Sequence, residues 1–155
     1  MSFRVTGLSP ELFRPLFGLS NSALTGQGVV RQTVEANPAA PCRVTLDDAE
    51  VGETVLLLNF EHQDADTPYR SRHAIFIREA AEAPAVFEGE LPPALARRLL
   101  SLRAFDGDHM MIDAEVVEGV EAKPLIERLL ADNRTAYLHA HYARRGCFAA
   151  RIDRV

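Results

Sequence analysis

The chain has 155 residues, 47% of them apolar and 25% charged, a globular balance at the length of one ordinary domain, so a single domain over residues 1–155 is expected. Its 17 basic and 22 acidic residues leave a net charge of −5, which argues against nucleic acid as a partner, since phosphates must be met by surplus Lys and Arg. No run reaches the roughly 18 apolar residues of a membrane span, and the start, Met1-Ser2-Phe3-Arg4-Val5, lacks a basic region followed by an apolar stretch, so a cytoplasmic location is expected.

Phe3 to Gly7 reads as a short strand. Ser9-Pro10-Glu11 opens a brief helix, with Ser9 as cap and Pro10 at its first position, interrupted by Pro15 and Gly18. Val29 to Val34 is a further strand, and Asn37-Pro38-Ala39-Ala40-Pro41 a loop. Thr54 to Phe60 contains Val55-Leu56-Leu57-Leu58, apolar on both alternating faces. It is expected to be a central strand buried on both sides, with Leu57 in the core. His73 to Arg78 is a second such strand, and the polar stretch His62 to Arg72 between them a long loop.

Pro92-Pro93 opens a helical turn running to Arg98. Leu99 to Phe105 and Met110 to Val117 form a hairpin across Asp106-Gly107, with Met110, Ile112, Ala114 and Val116 on the apolar face of the second strand. Ala122 to Asp132 is the best helix, with Leu125, Ile126, Leu129 and Leu130 at helical spacing and Asn133 as its C-terminal cap. Thr135 to Tyr142 and Cys147 to Arg154 close the chain as a hairpin across Arg144-Arg145-Gly146. The predicted class is therefore α+β: a mainly antiparallel sheet with a few short helices.

Three stretches carry candidate chemistry. In Tyr137-Leu138-His139-Ala140-His141-Tyr142, strand alternation puts Tyr137, His139 and His141 on one face and Leu138 and Ala140 on the other. Two imidazoles so placed could share a metal or an anion, with His73, His62, Cys147, Asp64 and Asp66 as further ligands, but no spacing selects among these. The alternative is one satisfied, partly buried histidine and one solvated. Leu138 is expected on the better-buried face and His141 at solvent or a ligand, so that His141→Asn leaves stability nearly unchanged.

The second stretch, Thr67-Pro68-Tyr69-Arg70-Ser71-Arg72-His73, sets a phenol, two guanidiniums and an imidazole at the mouth of a strand. That suits a small anionic ligand, or else a solvated loop whose arginines pair with Asp64, Asp66 or Glu61. The third, Arg144-Arg145-Gly146-Cys147, places a thiol beside positive charge, a setting for a nucleophile as well as for an inert buried cysteine. Cys42 and Cys147 have no C-x-x-C spacing and are expected to be reduced and not bonded to each other.

Pro41-Cys42-Arg43-Val44, Asp47-Asp48-Ala49, Val51-Gly52-Glu53, Leu56-Leu57-Leu58-Asn59, Thr67-Pro68-Tyr69-Arg70, His73 to Glu79 and Leu102 to Asp106 together resemble a small bacterial family, number 1203 among domains of unknown function. The tail, His139-Ala140-His141-Tyr142-Ala143 and Gly146 to Arg151, resembles it most specifically. The resemblance implies one domain and a bacterial source, and it sets Cys42, Arg43, Pro68, Tyr69, Arg70, His139, Gly146 and Cys147 within the family pattern. It carries no activity.

Two function classes follow. One is a small-molecule site, binding or catalytic, for an anion among Tyr69, Arg70, His73, His139, His141 and Cys147, with no cofactor. The other is an interaction module without chemistry that forms a homodimer or docks a partner through exposed apolar positions of the Met111, Val117 and Tyr142 kind.

Overall fold

In a computed structural model describing residues 2–155, nine strands form two antiparallel sheets, with few and short helices. The larger sheet has the order β5-β1-β9-β8-β6-β7. It is built from β1 (Phe3–Thr6), β5 (Val86–Glu88), β6 (Leu99–Phe105), β7 (Met111–Glu118), β8 (Tyr137–Tyr142) and β9 (Phe148–Arg154). The smaller has the order β2-β3-β4, from β2 (Val30–Thr33), β3 (Thr54–Gln63) and β4 (Ser71–Arg78). The helices are α1 (Asn21–Thr25), α2 (Pro93–Ala96) and α3 (Ala122–Ala131). No helix is long and apolar enough to cross a membrane among the described residues.

Each sheet has its own apolar layer. Leu100, Leu102 and Ala104 of β6 and Leu138 and Ala140 of β8 pack with Ile126, Leu129 and Leu130 of α3. That arrangement explains the spacing of the apolar residues in α3. Leu56 and Leu58 of β3 and Ile75 and Ile77 of β4 pack with Phe13, Leu24 and Val29.

The segment Pro41–Asp48 stitches the layers together. Val44 belongs to the smaller sheet's core and Leu46 to the larger one's. Leu46 reaches its place with φ at +56°, a left-handed conformation that a bulky residue keeps only where its surroundings dictate it.

Several expectations are corrected. Leu57 is only partly buried: β3 is central, but its second face stays open near Leu57 while Leu56 and Leu58 fill the core. The stretch His62 to Arg72 is no free loop. The strands extend to Gln63 and from Ser71, with His62 at a register shift between Glu61 and Gln63. On β7 the expected apolar face fails, because a shift opposite Ala104/Phe105 reverses the alternation. Ala114 and Val116 are exposed, whereas Ile112 and Val117 pack on the core. Tyr142 is buried, and Met111 and Val117 are partly so, so exposed apolar surface near this edge comes from Met110, Val116 and Val120. The C-cap of α3 is Asp132, not Asn133. Helix α1, capped by Ser20 whose hydroxyl accepts from Ala23 N, has no forerunner in the sequence reading.

Leu56→Ala should lower unfolding stability by about 2–5 kcal/mol, and Leu57→Ala by clearly less, because only Leu56 leaves an enclosed cavity. Urea midpoints of the two variants check this; equal losses would mean that the face of β3 is assigned wrongly.

Candidate functional site

The hairpin β3–β4 folds over the polar face of β8 and covers it. Gln63 Nε2 donates to Tyr137 Oη at 2.9 Å, and the His62 ring lies 4.9 Å from His141 and 6.2 Å from His139 between centroids. Phe148 stacks on His62 at 5.2 Å and meets His139 edge-on at 5.1 Å. Tyr137, His139 and His141 do share a face, opposite Leu138 and Ala140, but every residue of β8 is buried.

His141 is 2% exposed and its Nδ1–H donates to Gly146 O at 2.9 Å, so the expectation that it reaches solvent is corrected. A strand pattern shows alternation; it cannot show that a distant hairpin covers the second face. His139 Nδ1 and His62 Nδ1 are buried without a hydrogen-bond partner. Burial first, then neighbouring positive charge, holds His62 down at about 4 and His139 at about 3; for His141, also at about 3, burial outweighs the bond to Gly146, which acts upward, with Arg103 adding to the lowering. The three rings are therefore neutral at neutral pH. Among the described residues, no group of three or more His, Cys, Asp or Glu is placed to hold a metal ion.

A second constellation lies where the two sheets meet beside the β8–β9 turn. A cavity of about 510 Å³ is lined by Arg43, Arg97, Arg98, Arg144 and Arg145, with Glu118 as its acidic group. Leu57, Ala74, Phe76 and Leu99 give it an apolar wall. His73, Tyr142 and Cys147 line it too.

The arginines are held differently. Asp48, fully buried at its side chain, accepts from Arg97 at 2.8 Å and from Arg98 at 2.6 Å. Arg43 is 1% exposed, yet its guanidinium donates to Phe148 O at 2.7 Å, Pro41 O at 2.5 Å and Cys147 Sγ at 3.1 Å. No carboxylate pairs with it, or with the exposed Arg144 and Arg145 of the turn, among the described residues. That turn closes at Gly146, whose φ of +80° a side chain would strain.

The guanidinium carbons of Arg43 and Arg98 lie 5.0 and 5.2 Å from the centre of the Tyr142 ring. Tyr142 is 5% exposed and its hydroxyl has no hydrogen-bond partner; burial pushes it up to about 12.

The expected site residues thus divide. His73 and Cys147 line the arginine cavity, while His139 and His141 are packed between the sheets behind it. Arg70 is exposed and donates twice to Glu61 at 3.2 Å, and Tyr69 meets Phe105 edge-on at 6.2 Å; neither lines the cavity. Arg43, Arg97, Arg98, Asp48 and Tyr142 were not among the site residues expected from the sequence. The Arg97-Arg98 pair directly after a Pro-initiated turn was the one signal available.

A family model described as Protein of unknown function (DUF1203) matches residues 39–154. No curated protein and no solved structure matches the chain.

Stability should fall as the medium is acidified below pH 6.5. There the unfolded chain takes up protons that His62, His139 and His141 refuse until about 4, 3 and 3. Each excluded imidazole costs about 1.4 kcal/mol per pH unit. Glu79 and Asp132, both held near 2 chiefly by arginine hydrogen bonds, add losses of the same sign only below about 4.5. Denaturant midpoints between pH 7 and pH 5 should drop, and His139→Phe should reduce the slope; a flat profile would mean that the folded state admits these protons. His141→Asn should cost roughly 1–3 kcal/mol, since the buried ring and its bond to Gly146 are both lost.

Proposed function

The chain belongs to the DUF1203 family, and from the geometry of its cleft we propose that the protein binds a small organic anion there. The observation that carries this reading is Arg43. Holding an ion out of water costs several kcal/mol unless an opposite charge returns it. Its contacts are carbonyls and a thiol, so an anionic group entering the cavity supplies the missing charge. Arginine presents planar paired donors suited to a carboxylate or phosphate.

The remaining features narrow the ligand. The unpaired Tyr142 hydroxyl is one more polar group for it to meet. Arg144 and Arg145 stand at the exposed turn, where they draw anions in. The wall of Leu57, Phe76 and Leu99 favours an apolar body behind the charged head. The volume is that of a metabolite-sized ligand pocket.

A melting screen tests this with inorganic phosphate, benzoate and uncharged benzamide. Benzoate should raise Tm by roughly 5–10 °C at a hundredfold excess over Kd, with phosphate weaker and benzamide without effect. Arg145→Ser should reduce the rise. No shift with either anion, or equal shifts with benzamide, would overturn the proposal.

The alternative, contact between two copies through the β7 edge, is favoured by exposed Val116 and Val120. Sedimentation across micromolar concentrations decides it: a monomer throughout removes the homodimer.

A further inference from the structure

We infer that Cys147 is a modification site for small anionic disulfides, with the arginine cleft as the element that selects them. The inference rests on the anion-binding reading and adds a covalent step to it.

Cys147 and Cys42 are both free and buried, but their surroundings differ. Cys42 is 0% exposed; its sulfur lies at 3.4–3.5 Å from the backbone N–H groups of Val44, Thr45 and Arg78. Cys147 is 7% exposed and lines the arginine cavity, with Arg43 Nη2 at 3.1 Å from Sγ. The deprotonated sulfur is the attacking form in such chemistry, and Arg43 places a donor against the Cys147 sulfur. Tyr142, nine-tenths buried with its hydroxyl unsatisfied, lines the same cavity and provides an independent sign that a polar group is accommodated there.

The choice of reaction follows from what surrounds the sulfur. His62, His139 and His141 lie behind the cavity; His73 lines it, but among the described residues the side chain bonded to Cys147 is Arg43, and no side-chain acid is bonded there that could protonate an amine or alcohol leaving group. A thiolate leaving group needs no such proton. In thiol–disulfide exchange the Cys147 thiol gives its proton to water and its sulfur attacks one sulfur of R–S–S–R in line with the bond. A new sulfur–sulfur bond forms between Cys147 and the attacked R–S group, the S–S bond of the reagent breaks, and R–S⁻ departs with the electron pair. The Cys147 sulfur is oxidised and the departing sulfur reduced. With a carboxylate on R, Arg43 and the turn arginines Arg144 and Arg145 bring the disulfide to the sulfur.

Three near-isosteric disulfides test this on the intact folded chain: the dianion 2,2′-dithiodiacetate, neutral bis(2-hydroxyethyl) disulfide and dicationic cystamine. Peptide mass spectrometry follows each cysteine over time. The dianion should modify Cys147 at least roughly tenfold faster than the neutral compound, and cystamine should be slowest, with Cys42 unmodified throughout. The exposed variant Arg144→Ser/Arg145→Ser should narrow that spread, as should Arg43→Met where it folds. Equal rates for all three compounds, or Cys42 reacting as fast as Cys147, would overturn the inference. The melting screen separates the two claims: benzoate stabilisation without charge-selective reaction at Cys147 removes this inference and leaves anion binding standing, whereas failure of both removes both.

Discussion

Arg43 is the constraint on which the rest depends. Its backbone N–H donates to Phe76 O, which holds the Pro41–Asp48 segment along β4, while its guanidinium reaches across to Phe148 O at the start of β9. One residue therefore fixes the smaller sheet against the larger. Phe148 in turn stacks on His62, so the position of Arg43 also sets the packing of the histidines between the sheets. A long aliphatic residue at this place could fill the volume but could not satisfy two buried carbonyls. A buried carbonyl without a donor is costly, and that cost makes a charged side chain tolerable here.

The polar side chains of the interior fall into two sets with opposite electrostatics. His62, His139 and His141 are kept neutral by burial, and so they pack as flat, weakly polar rings among Phe105, Tyr137 and Phe148. Arginines remain charged under the same treatment. The cleft consequently concentrates charge, while the imidazoles behind it are neutral. His73 lines the cleft and still weighs on the titration of His62 and His141, so it lies between the two sets. An anion bound at the cleft would sit close to the neutral rings without needing them to change state.

Elements whose cause is local were legible in the sequence. The apolar run at Val55–Leu58, the Asp106-Gly107 turn, the spacing of Leu125, Ile126, Leu129 and Leu130 and the turn before Cys147 all lie where their patterns put them. Alternation along β8 held as well, because a pleated strand enforces it. Apart from helix α1 and the cap of α3, what failed was decided by a partner far along the chain. His141 is covered by a hairpin some 80 residues earlier, and the guanidinium of Arg43 meets Phe148 across 105 positions. The shift in β7 inverted a face that the bare pattern assigned to the core. The cleft was half visible: Arg144-Arg145-Gly146-Cys147 stood out as a cluster, whereas Arg97 and Arg98 acquire meaning only through Asp48.

The overall charge of −5 and the proposed anion site are compatible because the two act over different distances. Screening reduces the field of surface carboxylates within about 8–10 Å at ordinary ionic strength. Inside the cleft, five guanidiniums face Glu118 and the buried Asp48, leaving three positive charges in excess within a wall of low polarity. Under the proposed reading, a compact anion would pass Arg144 and Arg145, lose its water against Leu57 and Phe76, and reach Arg43, which has no paired carboxylate among the described residues. On that reading the depth of Arg43 would set the selectivity of the cleft: its position would favour small ligands over large ones before any individual hydrogen bond discriminates among them.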